Sequence, residues 1–301
     1  MSRPFATVSV DVDPVDLHLL GYGWRDLKPD ALVYERALPR LVELFARHRV
    51  RATFFVVARD SQVQAGAIRA LATAGHEVAS HSLTHPMALA RLAPARLSEE
   101  LVESKRRLEA AAGGEVMGFR SPNFDMTGRT LEALAAAGYR YDASAYPTPL
   151  LLPARLLLAL KSRDPIGVLA LTPWPFTLRR LPHMRRAGAG ALHEFPVSVT
   201  PGTRFPVYHT VRYGMSDARF AATLDGFARR GEPLSYPLHA VDALGLAEDG
   251  VDRRLGRHPG MERPLAAKLD LLERTLGAIA ERFETATFRE RLDVAAGDPA
   301  D

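Results

Sequence analysis

Two aspartates and two histidines are the residues of this chain whose types and spacing first suggest chemistry. In Ser9-Val10-Asp11-Val12-Asp13-Pro14, strand alternation puts Asp11 and Asp13 on one face and Val10 and Val12 on the other. Two carboxylates that close repel each other unless a cation or a shared proton lies between them. The histidines stand in Gly75-His76-Glu77-Val78-Ala79-Ser80-His81-Ser82-Leu83-Thr84-His85-Pro86. His81 and His85 are four residues apart, so one helical turn would aim both rings at one point. Two neutral imidazoles and one carboxylate make a three-ligand site with room for water, the usual arrangement of a catalytic zinc. Each pattern alone has a plain explanation, a polar loop after a strand or a chance pair on a solvated turn. Both together, at two separate strand ends, are a much rarer coincidence.

Two further motifs end apolar runs. Gly118-Phe119-Arg120-Ser121-Pro122-Asn123 offers an arginine that can hold a carboxylate and keep it ionised. Its ordinary role would be to cover a sheet rim. Pro237-Leu238-His239-Ala240-Val241-Asp242 ends in a histidine that would otherwise be a core residue with a backbone partner.

Composition narrows the chemistry. There is no cysteine among the 301 residues, which excludes thiol nucleophiles, thiolate zinc sites and disulfides. Any metal must then sit on His and carboxylate ligands. Apolar residues at 47% and charged residues at 25% are the profile of a soluble globular protein. The 39 Lys and Arg exceed the 35 Asp and Glu by only 4, too diffuse an excess to imply nucleic acid. No segment has the ~18–20 uncharged apolar residues of a membrane span. The first residues lack a basic stretch followed by an apolar one, so the expected location is the cytoplasm.

The elements that must position these residues alternate. Strands are expected at 7–12, 51–57, 77–80, 116–120, 140–142, 192–199 and 234–238. Helices are expected at 34–48, 65–74, 97–112, 130–137, 217–229 and 265–283. This rhythm argues for βα units around a parallel sheet, and about seven units suggest a barrel, whose chemistry lies at the C-terminal strand ends. Every motif above falls at such an end. Residues 147–191 break the rhythm and read as an inserted cap, and 293–301 as a polar tail.

In order and spacing, these motifs resemble the polysaccharide deacetylase family, also called the NodB-homology family or carbohydrate esterase family 4. The resemblance runs over residues 8–244, and RATFFVVARD and GHEVASHSLTHP are its most specific stretches. It implies a single distorted (β/α)7 barrel over residues 1–292 with the inserted cap segment. It also implies metal-dependent removal of an acetyl or formyl group from the nitrogen of an amino sugar. Carried over residue by residue, it makes Asp11 the general base and Asp13, His81 and His85 the metal ligands. Arg120 matches the residue that orients the base, and His239 the acid that protonates the leaving amine. Asn123, through its backbone N–H, and Tyr146 fall at substrate- and oxyanion-contacting positions. Zinc is the expected metal, with cobalt, nickel or manganese as alternatives.

Two departures stand out. Val12 separates aspartates that are commonly adjacent, as in a cytoplasmic, DVD-type branch of the family. The motif Tyr141-Asp142-Ala143-Ser144-Ala145-Tyr146 has Ala145 where an acidic residue often tunes the acid histidine. Either Asp142 or Asp242 substitutes, or His239 works untuned.

The insertion bears on substrate. Residues 150–160 are strongly apolar, and Trp174, Phe176, Arg179, Arg180, Arg185 and Arg186 follow. Such a mixture suits an interfacial surface that meets anionic headgroups, and equally a buried cap helix beside a solvated basic loop. On the interfacial reading the substrate is lipid-linked and the protein peripheral at the inner membrane face. The DVD spacing and Leu238-His239-Ala240 also resemble the deformylase of undecaprenyl-phosphate-linked aminoarabinose. The rival readings are a catalytically silent glycan- or lipid-binding barrel and a hydrolase of cyclic amides.

Overall fold

The structure, a computed structural model, describes residues 3–161 and 178–297. Its first half contains β1 (Phe5–Val12), α1 (Val15–Gly21), α2 (Leu38–Arg47), β2 (Thr53–Val56), α3 (Ala65–Thr73), β3 (Glu77–Ser80), α4 (Pro94–Ala112), β4 (Gly118–Phe119), α5 (Gly128–Ala136) and β5 (Tyr141–Asp142). The second half adds α6 (Leu151–Lys161), β6 (His183–Ala187), β7 (Gly190–Glu194), α7 (His209–Arg212), α8 (Asp217–Arg229), β8 (Leu234–His239), α9 (Leu265–Arg282), β9 (Glu284–Thr285) and α10 (Phe288–Gly297).

The protein is of the α/β class, with a curved, open sheet in the order β6-β7-β5-β4-β3-β2-β1-β8. Every neighbouring pair in this order is parallel except the β6–β7 hairpin, and the short β9 joins β1 at Phe5 and Ala6. Among the described residues no ladder closes the sheet between the β5–β7 side and β8, so the closed (β/α)7 barrel expected from the sequence is not seen. The irregular segment 195–199 spans that opening instead. Phe195 and Val197 donate to the carbonyls of Asp142 and Ala145, and Ser198 donates to Ser235 at 3.2 Å. Pro196 in this segment and Pro237 in β8 have no N–H to give, which accounts for the missing ladder bonds.

Alternation along β1 creates two interiors. Val8, Val10 and Val12 pack outward with Phe54, Val56 and Val78 against the helices. On the other face, Phe55, Ala79, Tyr141, Ala143 and Phe195 form an inner core that Phe288 and Leu292 of α10 plug from one end. Thr7, Ser9 and Asp11 share that inner face and are buried. Register does the remaining positioning: β1 and β8 pair Asp11 opposite His239, and β3 and β4 pair Ser80 opposite Phe119. His81 and Arg120 therefore leave neighbouring strands side by side.

Within the expected insertion, α6 exposes Leu152, Leu156, Leu157 and Leu160, the last by 76%. Trp174 and Phe176 lie outside the described residues. Two of the four arginines are committed internally: Arg180 grips Glu232 through two bonds of 2.5 and 2.8 Å, and Arg185 reaches the buried Glu194 at 3.1 Å. Arg179 and Arg186 are exposed. The last helix runs on to Gly297, into the expected tail.

Candidate active site

The metal-ligand candidates meet. Asp13 Oδ1 lies 3.4 Å from His81 Nε2 and 3.6 Å from His85 Nε2, with one ligand atom from each of the three residues within 4.8 Å of the others. His81 Nδ1 is 2.7 Å from the Arg120 carbonyl. A carbonyl only accepts, so Nδ1 carries the proton and Nε2 faces Asp13 with a lone pair. Asp13 Oδ1 is buried and has no hydrogen-bond partner among the described residues. Acceptors aimed at one another in a buried site are a poor arrangement without a cation and a good one with it. Burial keeps both rings neutral, His85 being pushed down to about 4, and raises the Asp13 carboxyl.

The convergence of His81 and His85 is not helical, as their spacing suggested. Residues 81–85 form a turn in which Ser82 (φ 69°) and His85 (φ 57°) take the left-handed conformation. Ser82 Oγ accepts the His85 N–H at 3.0 Å. Glu100, buried on α4, clamps the same turn by accepting the N–H groups of Leu83 and Thr84 and the Thr84 hydroxyl at 2.6–3.0 Å. Local side-chain bonds of this kind stabilise a turn against a helix.

Asp11 stands beside this triad. Arg120 Nη1 donates to its Oδ1 at 2.6 Å, while Nη2 donates to Ser9 Oγ at 2.9 Å and Nε to the Ala143 carbonyl at 3.1 Å. The guanidinium also lies 4.1 Å over the Phe55 ring. Burial opposes charge on Asp11, yet Arg120, aided by His81 and His239, holds its carboxyl below the usual range. Its other oxygen, Oδ2, is 4.0 Å from His239 Nε2.

Neither candidate carboxylate reaches the His239 ring, although the Asp242 backbone N–H caps it. Asp242 accepts the backbone N–H of His239 at 2.9 Å and the Tyr213 hydroxyl at 2.8 Å, and Asp142 takes the Ser144 hydroxyl. The ring instead packs against two histidines absent from the motifs, His18 of α1 at 5.4 Å and His258 at 5.9 Å between centroids. Isolated histidines carry no spacing signal, so only packing could reveal them.

Asp11, Asp13 and the five histidines His18, His81, His85, His239 and His258 line one cavity of about 320 Å3. Asn123 lines it in a left-handed conformation (φ 55°), with its carbonyl accepting from Arg155 at 2.7 Å and its side chain donating to Met87 O at 3.2 Å. Tyr146 forms an aromatic wall with Phe124 and Tyr208, at 4.9 and 5.7 Å between centroids.

A parallel α/β sheet with an Asp-His-His triad and an arginine-held carboxylate at its C-terminal strand ends defines the class. In sequence, residues 26–141 match the family described as "Polysaccharide deacetylase". That match contains His81, His85 and Arg120, and the geometry adds Asp11, Asp13 and His239 from outside it. The chain is 28% identical over 139 residues to a peptidoglycan deacetylase of Helicobacter pylori, covering 45% of this chain and 47% of that protein. It is 37% identical over 101 residues to a chitooligosaccharide deacetylase of Rhizobium leguminosarum bv. phaseoli, covering 33% and 44%. The matches thus span less than half the length of either relative. In fold, it is similar to a probable polysaccharide deacetylase from Pseudomonas aeruginosa PAO1, with a TM-score of 0.62 at 17% identity over 100% of this chain and 93% of that one.

Proposed function

We propose that this chain is a metal-dependent hydrolase that removes an N-acyl group, acetyl or formyl, from an amino sugar. The observation that carries the reading is the convergence of Asp13, His81 and His85 beside the Asp11–Arg120 pair and His239 in one cavity. Deacetylase relatives that act on peptidoglycan and chitooligosaccharides supply the substrate class. The imidazole and carboxylate donors favour zinc, with cobalt, nickel and manganese as alternatives.

Asp13, His81 and His85 would hold a divalent ion, which would supply Lewis acidity and lower the pKa of water there. The side chains do the rest. Asp11, kept ionised by Arg120, takes the water proton on Oδ2, the oxygen that Arg120 leaves open. Asn123 N–H is assigned to the developing oxyanion, its carbonyl held by Arg155 and its side chain by Met87. As the C–N bond breaks, its electron pair stays on nitrogen and takes the proton of His239 Nε2, because an unprotonated amine leaves poorly. Tyr146 and its aromatic neighbours offer a wall for the sugar. Retention of each of these groups disfavours a silent binding barrel.

The test is metal content together with amine release. The chelator-treated protein should be inactive, regain free-amine release from N-acetyl- or N-formyl-glucosamine oligomers with one equivalent of zinc or cobalt, and lose both metal and activity in His85→Ala. Failure to bind any of these metals, or fully loaded protein that releases no amine from either acyl series, would remove the reading.

A lipid-linked substrate is favoured by one observation. α6 turns Leu151, Ala154 and Arg155 into the cavity and exposes Leu152, Leu156, Leu157 and Leu160 on its outer side. Among the described residues no helix is long and apolar enough to cross a membrane, so the contact on this reading is peripheral. The cap role of 147–191, the DVD-type cytoplasmic branch and the aminoarabinose deformylase reading belong with it. Changing Leu156, Leu157 and Leu160 to Gln should weaken sedimentation with anionic vesicles about tenfold while turnover of a short soluble oligomer is retained. Unchanged vesicle binding would return the substrate to soluble sugars.

A further inference from the structure

Five of the chain's ten histidines line the active-site cavity: His81, His85, His239, His18 and His258. The first three have roles, and the last two do not. His18 and His258 pack edge-on against each other at 5.0 Å, and each packs edge-on against His239, with interplanar angles of 65–86°. The three rings close a triangle. Its outer corner is tied down: His258 Nδ1 lies 3.4 Å from the Tyr22 hydroxyl, and Tyr22 closes the end of α1, the helix that carries His18. His18 Nε2 and His258 Nε2 are buried and have no hydrogen-bond partner among the described residues.

From this geometry we infer that His18 and His258 are positioning residues that bracket the His239 ring and hold Nε2 toward Asp11 and the scissile nitrogen. The inference rests on the acid role of His239 in the proposed deacylation. An imidazole ring has two nitrogens, and only one orientation delivers its proton at Nε2. The Asp242 backbone N–H faces the ring from the capping turn, where no carboxylate does, and the two ring edges of His18 and His258 add a restraint against tilting and rotation. Burial keeps His18 and His258 neutral, His258 being pushed down to about 4, so they restrain the ring without charge repulsion against a protonated His239. A group misplaced by about 1 Å can lose on the order of 10²-fold in rate.

Acid catalysis matters for an amine leaving group and hardly at all for 4-nitrophenolate, so the readout is a ratio. His18→Ala and His258→Ala should each lower the amide-to-ester rate ratio, N-acetylated chitooligosaccharide over 4-nitrophenyl acetate, at least tenfold through kcat, with KM within twofold. His18→Phe and His258→Phe, which keep the ring edges, should restore most of it. In a His239→Ala background the same changes should cost nothing further. Histidine-ring NMR gives a reading independent of turnover: one fixed His239 ring environment in the wild type, averaged in the alanine variants.

An additive loss in the His239→Ala background, a loss shared equally by both substrates, or a His239 spectrum unchanged by both alanine variants would overturn the bracket. If His239→Ala itself leaves the ratio unchanged, the acid role in the proposed function fails first. The NMR comparison then decides the bracket separately.

Discussion

Asp11 shows how one residue's chemistry is set by its neighbours. Its carboxylate is buried, a position that ordinarily favours the protonated form, and Arg120 reverses that preference by donating at 2.6 Å from a guanidinium that also bonds Ser9 and the Ala143 carbonyl. One oxygen is spent on Arg120 and the other remains for a proton. Asp11→Asn removes that acceptor and leaves Asp13, His81 and His85 in place. The expected outcome is metal stoichiometry like the wild type's by elemental analysis, with kcat lower by about 10²–10⁴-fold. Near-normal turnover by fully loaded Asp11→Asn protein would take the base role away from it. Asp13, two residues on, shifts the other way, because burial raises its carboxyl and no arginine among the described residues is bonded to it. The two aspartates of one short motif are thus separated in role by what faces them, which residue type alone does not reveal.

At the scale of elements, the βα order is legible because strand and helix periods differ, and each motif follows an apolar run that reads as a strand. The metal triad, the Asp11–Arg120 pair and the place of His239 follow from that order and from register. The turn around Ser82 and His85 was not legible, since four-residue spacing fits a helix equally well and the deciding bonds come from Glu100, on another element. The β6–β7 hairpin and the sheet opening at Pro196 and Pro237 depend likewise on pairing between distant segments. His18 and His258 had no motif to announce them. One element-level constraint is hidden in Gly118 of β4: a Cβ there would collide with the Tyr141 ring of β5. Because Gly118 lies two residues before Arg120, Gly118→Ala should displace β4 and the guanidinium together. Loss of about 1–3 kcal/mol in denaturant unfolding is expected, with a fall in kcat that metal cannot restore. Unaltered stability and turnover would show that β4 has slack the packing does not suggest.

Across the whole molecule, the same burial that prepares the site leaves histidines elsewhere unable to ionise. His209 is fully buried on α7, with Nδ1 3.1 Å from the Tyr236 hydroxyl. Burial, only partly opposed by Asp242, pushes its pKa down from 6.5 to about 4. The sign is set by the folded value lying below the unfolded one. Above pH 6.5 both states hold the ring neutral and its contribution to stability is complete. As pH falls from 6.5 through 4, the unfolded chain takes up a proton that the folded protein refuses, and stability is lost. For this one ring the loss is about 3 kcal/mol over that window. The raised carboxylates, Asp142 among them at about 6, work in the opposite direction, so the wild-type profile alone would not isolate the histidine. A difference does. His209→Gln has no imidazole to protonate, so the stability advantage of the wild type over this variant should shrink steadily from pH 7 to pH 4. Parallel denaturant-derived stability profiles for the two proteins across that range would mean that His209 is protonated without cost in the fold. The burial argument applied to the site histidines would then lose its support as well.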